Sequence, residues 1–157
     1  MTEIALREAT FSDVDLLFEW RNDPTTREQS FARDAVDKTV HRRWLSAKLA
    51  ARDSTRIWIV TVDGNDVGQI RYEKRDGVGE ISFSVDARFR GRGLGRRILQ
   101  VSAPRACREL AVSEVRGLVK LTNPASLAVF EHAGFHRSAD TTVNGESAAV
   151  FIRSCAS

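Results

Sequence analysis

Residues 81–97, ISFSVDARFRGRGLGRR, run an apolar strand-forming stretch straight into a basic loop and then into the first turn of a helical repeat. Five arginines and three glycines fall within residues 88–97. Glycines at 91, 93 and 95 remove side chains and open left-handed backbone angles, so successive N–H groups can converge into a concave nest. At the positive end of a helix such a nest holds phosphate. The competing readings are a solvated basic turn and a basic arm for nucleic acid. An arm would carry further basic or aromatic signals, and this segment is wedged between two regular elements. A dinucleotide fingerprint fails as well, because GRGLG lacks the GxGxxG spacing and no βαβ unit surrounds it.

The flanking sequence sets the order of elements. Ile4, Leu6 and Ala9 alternate weakly as a first strand; Ser12 is read as the N-cap of a helix with Asp15 three residues on and Phe11 and Leu16 as a staple. Val14, Leu17, Phe18 and Trp20 form its apolar side, and Asn22-Asp23-Pro24 ends it. About a dozen polar residues then read as loop. Asp37 caps a second helix with Val40, Trp44, Ala47 and Ala51 on its apolar side. From Arg56 the period becomes two, and RIWIVTVDGNDVGQIRYEKRDGVGEISFSVD reads as a three-stranded antiparallel meander with turns at Asp63-Gly64-Asn65 and Arg75-Asp76-Gly77. ILQVSAPRACRELA is helical, with Pro104 expected to kink it or end a first segment. EVRGLVKL is a strand, Asn123-Pro124 opens another helix, Gly134 closes it, and a last hairpin turns at Asn144-Gly145.

At 157 residues the chain is one domain in size, read as spanning 3–154. No apolar run approaches the roughly 20 residues of a membrane span, and the opening residues do not resemble a secretion signal, so a cytoplasmic location is the default expectation. Net charge of +3 and a pI near 9.2 are mild, which speaks against a dedicated nucleic-acid binder. Cys107 and Cys155 have no metal-ligand spacing and are read as a small core residue and a tail residue, unpaired in a reducing compartment. No metal site is expected.

Arg90-x-x-Gly93-x-Gly95 resembles the acetyl-coenzyme A loop, (Gln/Arg)-x-x-Gly-x-(Gly/Ala), of the Gcn5-related N-acetyltransferase (GNAT) superfamily. The segment from Asn123 and Ser126 through Phe130 to Gly134-Phe135 resembles the same superfamily's later Asn-led motif. The resemblance implies a mixed α/β fold: a central, largely antiparallel twisted sheet of six to seven strands, with a splayed parallel pair, flanked by about four helices. It implies acetyl-coenzyme A as cosubstrate and a primary amine as acceptor. The backbone of Phe83, Ser84 and Val85 would carry the pantetheine arm. The amides of Arg90, Gly91, Arg92, Gly93, Leu94, Gly95 and Arg96 would hold the pyrophosphate, and Asn123, Ser126 and Phe130 would close the site from the other side.

Transfer to an amine needs a base, an oxyanion donor and a proton for the leaving thiolate. Glu80 stands where histone-type members carry a glutamate, and is either that base or a solubilising strand-edge carboxylate. The Val85 amide is the oxyanion donor by analogy. Phe130 replaces a tyrosine found in many members, which leaves the acid unassigned; a thiol with a reference pKa of about 8.5 can be protonated by water. Glu19-Trp-Arg-Asn-Asp-Pro24, His41-x-x-Trp44 and GQIRYE resemble the bacterial branch acting on nucleotide-linked amino sugars, and Trp20, Arg21, Asn22, His41 and Trp44 are the candidate acceptor wall. Core packing is the plain alternative for both tryptophans. Ribosomal-protein N-terminal acetylation, a non-catalytic acyl-coenzyme A-binding module and RNA binding through the basic loop are the alternative functions. A homodimer is compatible with the sequence.

Overall fold

The structure is a computed structural model describing residues 3–156; the first two residues of the opening segment lie outside it. In chain order the elements are β1 (Ile4–Glu8), α1 (Val14–Asn22), α2 (Pro24–Gln29), α3 (Lys38–Ala50), β2 (Thr55–Val62), β3 (Asn65–Arg75) and β4 (Val78–Val85). They continue with α4 (Leu94–Leu110), β5 (Glu114–Lys120), α5 (Pro124–His132), β6 (His136–Arg137), β7 (Thr141–Val143) and β8 (Glu146–Ser154). The strands form one sheet in the order β1-β2-β3-β4-β5-β8-β6, with β7 also on β8. Every pairing is antiparallel except β4 with β5. This is the expected GNAT architecture, with eight strands in place of six to seven and five α-helices in place of four.

Alternation in the meander assigns each strand two faces. Trp58, Val60, Ile70 and Tyr72 face α4, which buries Leu94, Ile98, Leu99, Ala103, Ala106 and Leu110 against them. Ile57 and Ile59 point the other way and pack with Leu17, Trp20 and Leu45 of α1 and α3. The hairpin turns lie where they were expected, with Asp63 and Gly64 at φ 50° and 83° and Asn144 and Gly145 at φ 48° and 79°, the left-handed pairs that match strand twist.

Several local expectations are corrected. The first helical turn begins at Thr10, two residues before Ser12: Asp13 accepts the Thr10 N–H at 2.9 Å and pairs with Arg7 at 2.8 Å, so the Arg7 ion pair starts the turn early. The polar stretch after Pro24 contains α2, capped by Asp23 on the Thr26 N–H at 3.0 Å with Pro24 in its first turn. In α3 the packed residues are His41 and Leu45 while Val40 is 56% exposed; the buried face lies one residue round from the predicted one. Helix α4 continues through Pro104, because burial on both sides of the proline outweighs one lost hydrogen bond.

The two cysteines are also corrected: Cys107 and Cys155 form a disulfide, with Cα atoms 5.6 Å apart. Strand β8 returns alongside β5 and delivers the tail to the flank of α4, a juxtaposition that a separation of 48 residues conceals. Closing a loop of that length corresponds to about 4 kcal/mol in the chain-entropy account. Urea unfolding should therefore show the Cys107→Ala protein less stable than wild type by about that amount under oxidising conditions, and indistinguishable from it with excess reductant.

Candidate functional site

Strands β4 and β5 pair only from Val78↔Glu114 to Ile81↔Gly117. Beyond Ile81, Ser82–Val85 stays on β3 while Leu118–Lys120 stays on β8, so the two parallel strands separate. Alternate backbone N–H and C=O groups of Ser82–Val85 then face a gap instead of a neighbour. A cleft of about 820 Å³ opens there, lined by α1, α2, α3, β3, β4, the glycine loop, β5 and α5.

The glycine loop forms one end. Gly91 and Gly93 have φ of 77° and 73°, and nothing stands within 4 Å of where a Cβ would lie at either. Gly93 is the N-cap of the 17-residue α4, so the first helical amides open onto the cleft. Gly95 has a different purpose: a Cβ there would stand 3.2 Å from Val129, which lets α4 approach α5 closely. The arginine side chains are mostly occupied. Arg88 pairs with Asp86 at 3.0 Å, Arg92 reaches the Arg88 carbonyl at 3.4 Å, and Arg90 holds Asp23 at 2.7 Å. These backbone and glycine features fit a pyrophosphate without help from Arg92 or Arg96, neither of which lines the cleft.

Asp86, the residue entering the loop, is buried and receives Trp20 Nε1–H at 2.9 Å and the Arg88 amide at 2.9 Å. Hydrogen bonds from Arg88 and then Trp20 outweigh burial and hold its carboxyl far below the usual range. Trp20, 4% exposed, thus anchors the loop to α1 and still lines the cleft, so both of its readings coexist. Asn22, also read as acceptor wall, lies outside the lining. Its Nδ2 donates to the Val36 carbonyl at 3.1 Å, and its Oδ1 accepts the Val36 N–H at 2.9 Å. Asn123 caps α5 through the Ser126 N–H at 3.2 Å and still lines the cleft beside Ser126, so its two readings coexist. Phe130 is 3% exposed, with its ring centroid 5.1 Å from that of Phe135 and 5.3 Å from that of Phe151, and it also lines the cleft.

On the α1/α3 side of the sheet a polar ladder crosses three strands, with Glu73 opposite Glu80 and Glu80 opposite Arg116. Arg116 donates to Glu80 Oε1 at 2.7 Å. Arg71 Nε donates to Glu73 at 3.0 Å, and Lys48 reaches the same carboxylate. Burial pushes Glu73 up, but Lys48 and Arg71 prevail and hold it below the usual carboxylate range. Trp44 lies under the Arg71 guanidinium, 4.9 Å from its ring centroid, and stacks on His41 at 5.7 Å. Burial lowers the His41 pKa more than a hydrogen bond to the Val14 backbone raises it, so the ring is neutral.

An arm from Asp23 to Val36 covers this side. Lys120 donates to the Glu28 carbonyl at 2.9 Å, Asn144 to that of Phe31 at 3.1 Å and Arg21 to that of Ala32 at 2.9 Å, while Arg33 pairs with Glu146. The structure thus gathers Glu80, Phe83, Ser84, Val85, Arg90, Gly91, Gly93, Leu94, Gly95, Asn123, Ser126, Phe130, Trp20, Arg21, His41 and Trp44 around one cleft. Sequence reasoning missed Gln69, Arg71, Arg116 and Lys120. The signal was present: Gln69, Arg71 and Glu73 alternate on one face of a meander strand that has neighbours on both sides, and a polar face there needs partners or a cavity.

The acetyltransferase (GNAT) domain family matches residues 3–136. The chain is a GNAT acetyltransferase. A search of the curated proteins by sequence returned no match. Among solved structures, the GNAT chain is similar to aminoglycoside acetyltransferase AAC(6')-Ib in complex with ribostamycin and coenzyme A, at 20% identity and TM-score 0.84 over 97% of this chain and 93% of that one. It is similar to the ribosomal L7/L12 α-N-protein acetyltransferase RimL in complex with coenzyme A, at 16% identity and TM-score 0.81 over 96% and 93%. It is also similar to the spermidine N-acetyltransferase of Vibrio cholerae in complex with coenzyme A and spermine, at 15% identity and TM-score 0.83 over 96% and 95%. Family membership makes the protein an acetyl-coenzyme A-dependent N-acetyltransferase. Among its described residues no helix is long and apolar enough to cross a membrane, and no cluster of metal-ligating side chains occurs.

Proposed function

We propose that this acetyltransferase modifies a primary amine of a nucleotide-linked amino sugar, by direct attack of the amine within a ternary complex. The observation that supports the reading is the character of the acceptor wall. Five basic side chains, Arg21, Arg71, Arg90, Arg116 and Lys120, line the cleft with a single carboxylate, Glu80, which Arg116 already engages. Polyamines and aminoglycosides are polycations and would meet repulsion there. A nucleotide-linked sugar offers phosphates to the basic groups and rings to Trp44 and His41.

In this reading the glycine-loop amides hold the pyrophosphate of acetyl-coenzyme A, and the β4 backbone aligns its pantetheine arm. Glu80 takes the proton from the acceptor's ammonium, directly or through one water. The Val85 N–H donates to the carbonyl oxygen as negative charge develops on it. Phe130 supplies no proton, and the thiolate leaves to be protonated by solvent.

The test is a thiol-release screen in which nucleotide-linked amino sugars compete with N-terminal peptides, spermidine and aminoglycosides. The highest kcat/KM is expected with the nucleotide-linked sugars; preference for a peptide or polycation would discard the assignment. Failure with every amine, despite coenzyme A binding, would favour a non-catalytic binding module. With the best acceptor, Glu80→Gln is expected to lower kcat at least a hundredfold, in the range of general-base removal, with acetyl-coenzyme A affinity unchanged. Full activity would remove Glu80 from the mechanism.

A further inference from the structure

Arg71, Arg90, Arg116 and Lys120 each reach a carboxylate: Glu73, Asp23, Glu80 and Glu146, respectively. Among the described residues, Arg21 is the cleft-lining cation without one. Its Nη2 donates to the Ala32 carbonyl at 2.9 Å, while its Nη1 is buried with no hydrogen-bond partner. A buried charged donor without a partner is among the costlier features a protein retains. Burial, with a contribution from Arg27, keeps the Arg21 pKa below its ordinary value, though a guanidinium stays charged throughout the accessible pH range.

Arg71 stands near enough for the two charges to repel; burial chiefly, and Arg21 in addition, lower its pKa against the opposing pull of Glu73. Only its Nε has a hydrogen-bond partner among the described residues, and Trp44 fixes the plane of its guanidinium. The neighbouring His41 has a second orphan, a buried Nε2 without a partner. That nitrogen can donate to or accept from a polar group brought into the cleft. Two guanidinium groups and one imidazole nitrogen, from α1, β3 and α3, therefore line the same cleft with unused hydrogen-bonding capacity.

We propose that Arg21 and Arg71 form an anion subsite that selects an amine acceptor bearing a carboxylate or phosphate, with His41 Nε2 hydrogen-bonding an adjacent polar group of that acceptor. An anion there satisfies Arg21 Nη1 and screens the repulsion between the guanidiniums, so the cost carried by the free protein becomes affinity for the acceptor. The subsite is built from side chains of α1 and β3, whereas the glycine loop offers backbone amides. The proposal rests on the acetyltransferase reading only for the identity of its ligand as an acceptor.

The test separates anion binding from turnover. Protein saturated with coenzyme A, which fills the glycine loop, is titrated calorimetrically with inorganic pyrophosphate and, separately, with malonate. At least one is expected to bind, and Arg21→Gln and Arg71→Gln are each expected to weaken it at least tenfold, the loss of a charge-assisted contact. Coenzyme A affinity in both variants should stay within twofold of wild type, which shows that the fold and the cradle survive; Arg71→Gln matters because Arg21 also holds the arm. In parallel, kcat/KM is compared for glucosamine against glucosamine 6-phosphate and for alaninamide against alanine. The pair with the larger preference in wild type distinguishes phosphate from carboxylate, and the preference should collapse in both variants. Absence of anion binding to the coenzyme A complex, or binding unchanged in both variants, overturns the subsite. Acetylation of amines regardless of their anion overturns the subsite and leaves the transferase reading standing. Anion binding lost in the variants, with no amine acetylated, sustains the subsite and overturns the transferase reading of its ligand.

Discussion

Gly93→Asp is expected to raise the dissociation constant for acetyl-coenzyme A at least a hundredfold, to the point of no detectable binding, while the circular dichroism spectrum keeps its native form. Gly93 sits at φ 73° and ψ 15° as the N-cap of α4. Aspartate tolerates left-handed angles better than most residues and is favoured at helix N-termini, so the helix should survive. The new carboxylate would occupy the positive helix end and repel the pyrophosphate meant for the same amides. Gly93→Ala isolates the backbone contribution, since no atom lies within 4 Å of the added Cβ; its effect should be near the roughly 1 kcal/mol of a left-handed alanine. Calorimetry showing native affinity in Gly93→Asp would dismiss the loop as the cofactor site.

The second large effect concerns stability. At Gly117 a Cβ would stand 2.4 Å from Cε1 and Cζ of Phe130. That ring cannot simply swing away, because Phe135, Phe151 and Phe83 surround it with centroids 5.1, 5.3 and 6.0 Å distant. Gly117→Ala should therefore cost about 2 kcal/mol as an overpacked core, lowering Tm by about 4–8 °C for a domain of this size. Gly117 also pairs with Ile81 on the last rung before the parallel strands separate, so displacing the ring should disturb coenzyme A binding too. Adding Phe130→Leu, which trims the clashing ring, is expected to recover part of the loss. An unchanged Tm in the single variant would show that the ring is not confined as described.

Both residues illustrate how local signals and tertiary ones divide. Gly93 was legible because its chemistry is local: the glycine spacing, the strand before it and the helix after it lie within 17 residues. The role of Gly117 was not, since the ring that demands it comes from α5, which turns back onto β5 only when the core packs. The same division separates Asp37 and Asn123, whose caps form with amides two or three residues on, from Trp20, whose partner Asp86 lies 66 residues along the chain.

From the sequence alone follow the order of strands and helices, the turn positions, the glycine loop and the Asn123 segment, because periodicity, capping and turn chemistry act over a few residues. The sheet order, the gap between β4 and β5, the Cys107–Cys155 link and the place of Gln69, Arg71, Arg116 and Lys120 in the cleft were decided only by tertiary structure. Arg21, His41 and Arg71 stand 20 and 30 residues apart in the chain and meet through packing of α1 and α3 on the sheet. Burial is what leaves Arg21 Nη1 and His41 Nε2 without water or partner, and burial is a property of the assembled chain.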